Sequence, residues 1–442
     1  MDTIRFTVLA FLTASCAIPP TAAPDLAGLA AAGIAPADLE VLTAAGQPLP
    51  EAIPDVLDVA TTTAVALRQS PRLRAELALV RAAVAEAQQT RLWPNPLLSI
   101  AMRLPEAGGA LEWDLGISAA LGSWLTRSDR QDAANARVAT AAAAALEIAF
   151  EEAETARIAF AAAEAAEHAL RIRKRQSDVA DELLVRQRES MRGGFVGSQA
   201  VLLAENQASS ARIDLMAARV ELRAAQLTLA KLLGTGDENA NWTLQPDTSS
   251  PSSNDLEIWL ASGRKRNPTV QRMAAMLRVA EAEARLAGAI VAQGVDAGVA
   301  AERDGEWSLG PAINVPLPII DDGSARRARA EALVLSAQHS QSLALRDAEA
   351  DLRATWESYH ARRRTLEELR DSRLRILDAQ LENKRALAAA GEAGPSEVLF
   401  SEQALLLVKV EEIQHRLRLQ IDYSHLIRLA GGGPDHNGLI AP

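Results

Sequence analysis

The sequence predicts an internally duplicated α+β membrane protein in which two very long α-helices each follow a pair of membrane-length β-strands. Residues 306–317 alternate between apolar and small or polar side chains with a period of two, the pattern of a strand that faces lipid on one side. Segments 127–192 and 324–390 contain neither Pro nor Gly, so each predicts one helix about 100 Å long. Helices of this length pack in coiled-coil hairpins rather than inside a compact domain.

The composition supports this architecture and excludes several functions. Of the 442 residues, 48% are hydrophobic but only 3% are aromatic, which indicates closely packed Ala-rich helices. The formal net charge of −11 argues against a general nucleic-acid binder. The six His are scattered, there is one Cys, and no catalytic or phosphate-binding motif is present. We therefore expect no enzymatic activity, no cofactor and no metal site.

The N-terminus predicts export. Residues 1–16 combine a positive charge with a short apolar core, and Cys16 stands where a bacterial lipoprotein signal places its acylated cysteine. The alternative is an ordinary signal cleaved near residues 22–23, which would discard Cys16. No later run of apolar residues is long enough to predict a membrane-spanning helix.

Four strands are expected, each with an apolar face and a small or polar face. Their expected ranges are about 97–104, 112–122, 293–302 and 306–317. Asp114, Asp296 and Glu302 fall on the polar faces, so we expect them to face the lumen of a barrel.

The chain is organised as a duplication. Gly391 lies 197 residues after Gly194 (391 − 194), and Gly431 lies 197 residues after Gly234 (431 − 234). The expected division is an arm at 17–60, a first repeat at 61–234, a linker or equatorial segment at 235–258, a second repeat at 259–432 and a tail at 433–442.

The strand count predicts the assembly. Four strands cannot close a membrane barrel, since the smallest have eight, and open strand edges are not tolerated in lipid. Three copies would supply a twelve-stranded barrel and place the long helices on a shared axis. We therefore expect a homotrimer in which a long α-helical barrel continues the β-barrel.

The sequence resembles the TolC family of outer-membrane efflux proteins, and within that family it most resembles the heavy-metal efflux branch of CzcC and CusC. The resemblance covers residues from about 60 to 432. It rests on Leu-Trp-Pro-Asn-Pro at 92–96, the strand-to-helix join at 315–319, the helix tips at 194–202 and 391–399, and the repeat ends at 233–234 and 430–431.

The resemblance implies a function. It implies a trimer in the Gram-negative outer membrane that extends into the periplasm. The helix tips would dock a periplasmic adaptor, which connects to an inner-membrane pump, with an RND-type pump favoured. The channel would then give passive exit to cargo, with metal cations suggested by the branch.

The resemblance also implies roles for individual residues. The family gates its pore with acids after the second tip, so Glu397 is the expected gate, where three carboxylates in a trimer would favour cations. A plainer interpretation is an acid that stabilises the first turn of a helix. The expected adaptor-docking tips contain Gly194, Phe195, Val196, Gly197, Ser198, Gly391, Gly394 and Pro395. The expected strand–helix joins contain Trp93, Pro94, Pro96, Trp124, Pro316 and Pro318.

Three alternatives remain open at the level of the sequence. A channel for type I protein secretion would use the same fold with different cargo. A periplasmic adaptor also carries a long helical hairpin, but the duplicated strand–helix order speaks against it. A coiled-coil scaffold would need neither lipid-facing alternation in four strands nor an export signal.

Overall fold

A computed structural model describes residues 53–103, 111–236, 242–247, 249–251, 253–289, 294–304, 306–317 and 319–432. The predicted export signal with Cys16, the arm as far as residue 52, Pro318 and the tail at 433–442 lie outside these ranges.

Long helices make up most of the described chain. In sequence order they are α1 (Val59–Gln69), α2 (Pro71–Arg91), α3 (Leu121–Leu125), α4 (Arg127–Arg192), α5 (Ser198–Leu233), α6 (Leu256–Arg266), α7 (Pro268–Gly288), α8 (Ser324–Glu368), a π-helical segment (Leu369–Leu374), α9 (Arg375–Ala389) and α10 (Pro395–Leu429). With 66 residues, α4 is about 100 Å long. Within the described ranges, no helix combines the length and the apolar character that crossing a membrane requires.

The strands form two separate sheets. They are β1 (Val56–Leu57), β2 (Leu97–Arg103), β3 (Glu112–Ala120), β4 (Thr243–Leu244), β5 (Asp296–Asp304) and β6 (Glu306–Asn314). The larger sheet is antiparallel with the order β2-β3-β5-β6, and β1 pairs with β4 in parallel. The two central strands of the larger sheet, β3 and β5, come from different halves of the chain, so this sheet joins the two halves.

The helices next to the large sheet lie in the same order as its strands. α2 packs on α4, α4 on α7, and α7 on α8. Each of these helices is near one strand of the sheet in the chain: α2 precedes β2, α4 follows β3, α7 precedes β5 and α8 follows β6. The helix order α2-α4-α7-α8 therefore repeats the strand order. Further along its length, α4 packs on α5 and α10, and α10 packs on α8 and α9. The sheet therefore continues into a layer of helices, strand by strand.

Small residues allow α4 to occupy the centre of this layer. Ala142 and Ala145 are 0% exposed and pack with Leu73 and Leu77 of α2. Further from the sheet, Phe160 is fully buried against α5 and the β1 region. Ala on several sides of one helix lets neighbouring helices approach closely, and each fully buried Leu or Phe contributes about 1.5–3 kcal/mol.

The same helix caps recur in both halves. The Ser70 hydroxyl accepts a hydrogen bond at 3.2 Å from the backbone N–H three residues later, and the Asn267 side chain does so at 3.1 Å. Gly234 and Gly431 both adopt left-handed backbone conformations, with φ of 68° and 67°. Both pairs are separated by 197 residues (267 − 70, 431 − 234). The two halves thus use equivalent residues to begin and end their helices.

The first join differs from its expected form. The strand expected at 112–122 ends at Ala120, and Leu121–Leu125 form the short helix α3. The N–H of Gly122 donates to the carbonyl of Val295 at 2.8 Å, which holds this helical turn against the start of β5. The chain therefore leaves the sheet through a turn of helix.

The second join also differs from expectation. The strand expected at 306–317 ends at Asn314, before Pro316, which has no N–H to donate to a ladder. The strand expected at 293–302 runs from Asp296 to Asp304, because its pairing with β6 continues to the register partner Glu306.

The helix expected at 324–390 is not uniform. It contains the π-helical segment Leu369–Leu374, and regular helix ends at Ala389. On an α-helix, the side chains of two residues five positions apart point in directions about 140° apart. In a π-helical turn, whose backbone hydrogen bonds join residues i and i+5, the two side chains lie on the same face. Leu369 and Leu374 are both buried in the cluster with α10, so the wider turn brings both into the core.

Candidate functional site

The large sheet sorts its side chains onto an apolar face and a polar face. One register row on the apolar face joins Ile100, Leu115, Ala301 and Leu309, and the next joins Leu98, Ile117, Val299 and Pro311. Leu309 is 77% exposed in the single chain. A contiguous exposed apolar surface of this kind marks contact with lipid or with protein.

The polar face gathers the three acids that the sequence assigned to a lumen. Asp114 and Glu302 are direct register partners, and Asp296 pairs with Ala120 and Asn314 on the same face. Arg103 forms an ion pair with Asp114 at 2.6 Å. The three acids therefore share one side of the sheet, while their position in a lumen stays a prediction.

The sheet has two free edges. Within the described residues, β2 pairs only with β3, and β6 pairs only with β5. Each edge strand therefore presents a row of N–H and C=O groups without a ladder partner, an arrangement that a bilayer interior does not tolerate.

Exposed aromatic side chains lie at the first join. Trp93 is 65% exposed and Trp124 is 53% exposed. The guanidinium of Arg127 lies 5.4 Å from the centroid of the Trp93 ring, so the start of α4 is held against the segment that leads into β2. Pro94 and Pro96 are exposed and lie between the end of α2 and the start of β2, in a segment without regular secondary structure.

The second join is packed around a proline. A Cβ atom at Gly294 would lie 2.7 Å from the Pro316 ring, so the close approach of these two segments requires glycine at position 294. Beyond Pro316 the apolar side chains of Leu317 and Ile320 are largely exposed. Pro318, the other proline expected here, lies outside the described residues.

Two aspartates lie immediately before α8, which begins at Ser324. Asp321 accepts a hydrogen bond from the N–H of Gly323, and Asp322 accepts one from the N–H of Ser324, both at 2.9 Å. The backbone hydrogen bond from Gly323, together with Arg326, lowers the pKa of Asp321. These carboxylates satisfy N–H groups at the start of the helix that would otherwise lack partners.

The two helix tips share one turn geometry. Gly194 and Gly391 have φ of 76° and 78°, the left-handed conformation that glycine favours. The N–H groups of Phe195 and Glu392 each donate at 2.9 Å to the carbonyl five residues earlier. Phe195 is 86% exposed, so the first tip ends in a large apolar side chain in water.

The residues after each turn start the returning helix. Val196 is half-buried, Gly197 is the N-cap of α5, and Ser198 is its first residue. Gly394 is the N-cap of α10, and Pro395 is its first residue, where the missing N–H costs no hydrogen bond.

Glu397 has two partners near its own helix end. Its carboxylate lies 2.5 Å from the Lys384 ammonium and accepts a hydrogen bond at 3.3 Å from the N–H of Gly394. The hydrogen bond from Lys384, followed by that from Gly394, lowers the pKa of Glu397. This geometry suits the plainer interpretation of an acid at a helix start, and a role in a pore stays a prediction.

Sequence reasoning missed Lys384, although the hairpin offers a signal for it. Lys384 and Glu397 are almost equally distant along the chain from the turn at Gly391, so the antiparallel helices bring them together. Pairing residues outward from a predicted tip would have found this ion pair.

Sequence reasoning also missed a buried clamp between the halves. Arg416 on α10 donates to the Glu164 carboxylate on α4 at 3.0 Å and to the carbonyl of Asp247 in the equatorial segment at 3.1 Å. The Glu164 side chain is only 5% exposed. An acid within the Ala-rich stripe of α4 was the available signal, but its partner is 252 residues away.

The described side chains offer no obvious metal centre. Among residues 53–432, as far as the structure describes them, no three His, Cys, Asp or Glu side chains come together in a group that could hold a metal ion.

Comparison with known proteins shows a shared fold. No protein-family model and no curated protein matches the sequence. The structure of CusC matches with a TM-score of 0.67 and 18% identity, over 85% of this chain and 92% of that chain. The outer membrane protein VceC of Vibrio cholerae matches with a TM-score of 0.67 and 17% identity, over 85% of this chain and 97% of that chain. The CmeC outer membrane channel of Campylobacter jejuni matches with a TM-score of 0.67 and 14% identity, over 85% and 86% of the two chains. The chain therefore has the fold of these outer-membrane proteins, which confirms the expected resemblance to the TolC family at the level of the fold.

Proposed function

We propose that this chain is the outer-membrane channel component of a tripartite efflux system, giving passive exit to cargo delivered by an inner-membrane pump and a periplasmic adaptor. The observation that carries the proposal is the two-faced sheet with free edges, continuous strand by strand with a helical layer that includes a helix about 100 Å long. Such a sheet needs partners in a bilayer, and such a helical layer extends far beyond one.

The assembly in this proposal is a homotrimer with a twelve-stranded barrel. The edges left free in the sheet belong to β2 and β6, and the helices attached to them, α2 and α8, are the outer members of the helical layer. α8 exposes Leu333, Leu335 and Leu343. One lateral contact between copies would therefore close the sheet edges and cover the outermost helix.

The helix tips are the proposed adaptor site. Phe195 supports this role, because a large exposed apolar group at a turn often marks a contact. Glu397 is the proposed cation-favouring ring near the tip, with an RND-type pump and metal cations as the preferred partners and cargo. The lumen would be lined by the polar face that carries Asp114, Asp296 and Glu302.

The proposed location is the Gram-negative outer membrane, with the helices in the periplasm and an acyl anchor at Cys16. The exposed apolar face and the exposed tryptophans at the first join support a membrane position for the sheet. Metabolic labelling with a radioactive fatty acid tests the anchor, and Cys16→Ser should abolish the label.

The test of the channel is membrane fractionation, native mass measurement in detergent and conductance in a planar bilayer. We expect an outer-membrane trimer that conducts ions. A soluble monomer would refute the proposal. For the cargo, deletion should increase sensitivity to metal cations, and unchanged metal tolerance would remove that assignment.

Two adjacent positions on β6 offer a matched pair of variants. Leu309 lies on the apolar face and Ser308 on the polar face, next to its register partner Glu302. Leu309→Arg should cost about 2–4 kcal/mol per chain in a bilayer and abolish insertion, whereas Ser308→Arg should be tolerated. Equal insertion of both variants would contradict the assignment of the two faces.

A further inference from the structure

A row of aromatic and cationic side chains ends the apolar face of the sheet, on the side remote from the helices. Trp113 on β3 is the register partner of Arg303 on β5, and Arg303 is the register partner of Trp307 on β6. The guanidinium carbon of Arg303 lies 5.9 Å from the centroid of the Trp307 ring. Met102 on β2 extends the row beyond Trp113. The cation is thus flanked by tryptophan on both neighbouring strands.

Arg303 differs from the other described side chains on this face. It is the only charged residue that the described parts of the four strands place there. It is exposed, and it forms no ion pair with any side chain that the structure describes. Arg103, at the same end of the sheet but on the polar face, is paired with Asp114 at 2.6 Å. On the described part of the apolar face, Arg303 is therefore a cation whose guanidinium has no described carboxylate partner.

The depth of Arg303 follows from its cost in a bilayer. A cation on the lipid-facing side of a strand is strongly unfavourable at the midplane and nearly neutral at the interface. Tryptophan rings also favour the level of the lipid headgroups. In the proposed channel the helices extend into the periplasm, so this end of the sheet lies in the outer leaflet. The charged lipid groups at that level are the phosphates of lipid A.

We propose that Trp113, Arg303 and Trp307 form a binding site for a phosphate of lipid A, one site on each chain. Arg presents a planar set of donors that matches phosphate, and it stacks on aromatic rings at the same time. The two tryptophans orient the guanidinium and contact the apolar body of the lipid. This site rests on the proposed function, because only a sheet within the outer membrane meets this lipid.

The test is native mass spectrometry of the purified full-length protein in detergent, titrated with diphosphoryl lipid A. Arg303→Gln should weaken lipid A binding about tenfold or more, the effect of losing hydrogen bonds to a charged group. Arg303→Lys should retain part of the binding, since the charge remains. Arg103→Gln is the matched control, because it removes the same kind of side chain from the opposite face. It should bind lipid A within about twofold of the wild type.

The outcomes separate this site from the channel itself. Weaker binding by Arg303→Gln alone supports the site. If the wild type conducts in a planar bilayer but Arg303→Gln and Arg103→Gln bind lipid A equally well, the lipid site is wrong and the channel stands. Displacement of lipid A by inorganic phosphate at the same concentration would also overturn a lipid site. A wild type that neither inserts nor conducts would overturn both proposals.

Discussion

The clamp between Glu164 and Arg416 provides a quantitative test of how the two halves are held together. The Glu164 side chain is 5% exposed, and it receives hydrogen bonds from Arg416 at 3.0 Å and from the N–H of Asp247 at 3.4 Å. Arg416→Leu would leave a buried carboxylate without its cation. Removing one member of a buried ion pair costs about 3–5 kcal/mol, because the remaining charge stays desolvated.

This loss in the free energy of unfolding predicts a measurable decrease in Tm. An unfolding entropy of about 2.1 cal/mol/K per residue gives about 0.9 kcal/mol/K for 442 residues unfolding together. We therefore expect Arg416→Leu to lower the Tm by about 3–5 °C, measured by far-UV circular dichroism in detergent. The double variant Glu164→Leu/Arg416→Leu should recover most of this loss, since an apolar pair leaves no buried charge.

An exposed ion pair on the same helix is the control. Arg171 and Glu167 on α4 lie 3.0 Å apart, with side chains 59% and 41% exposed. Arg171→Leu should change the Tm by less than about 1 °C, because exposed pairs contribute at most about 1 kcal/mol. A double variant at the clamp that is no more stable than Arg416→Leu would contradict the expected cost of a buried, unpaired carboxylate. Equal losses of Tm at the clamp and at the Arg171–Glu167 pair would also contradict it.

Three further predictions concern the contact between α4 and α10, the large sheet and the second helix tip. A hydrogen bond that His425 Nδ1–H donates to the Glu154 carboxylate raises the pKa of His425. Protonated His425 therefore stabilises the fold below about pH 6.5, and this contribution is lost as the pH rises through the raised pKa. The Tm of the wild type should therefore fall relative to that of His425→Gln as the pH rises above about 6.5, and parallel curves of Tm against pH would contradict this. A Cβ atom at Gly298 would lie 2.1 Å from a backbone oxygen of β3, so Gly298→Val should separate β3 from β5 and abolish insertion into membranes. Normal insertion of this variant would show that the close contact is dispensable. Lys384→Met removes the ion-pair partner of the Glu397 carboxylate, which should raise the cation preference of the conductance. Adding Glu397→Gln should reverse this increase, whereas an unchanged cation preference would leave Glu397 as a helix-capping residue only.

Local patterns predicted a large part of this fold. The alternation in residues 306–317 identified the apolar face of β6, and the uninterrupted Ala-rich segment predicted α4 (Arg127–Arg192). The glycines at the tips predicted turns because a left-handed backbone favours glycine, and Gly194 and Gly391 adopt that conformation. These properties depend on residues within a few positions of each other, so a single sequence contains them.

The candidate sites were less accessible to the same reasoning. Strand alternation placed Asp114 and Glu302 on polar faces, but it did not indicate that they are register partners on strands from different halves. Glu397 was identified from a motif, whereas its partner Lys384 depends on how two helices meet. Periodicity assigns a face to a residue, but it does not assign the neighbouring element on that face.

Periodicity, glycine and proline act through the local backbone, so the amino-acid sequence alone predicted the four strands of the large sheet, the apolar face of each of these strands and the long helix α4. Four features became known only from the folded structure: the strand order β2-β3-β5-β6, the matching order of the helices, the π-helical segment Leu369–Leu374 and the clamp between Glu164 and Arg416. Ladder pairing, core packing and buried ion pairs are interactions between segments far apart in the chain. Because their free energies depend on which surfaces meet, local sequence patterns do not predict them.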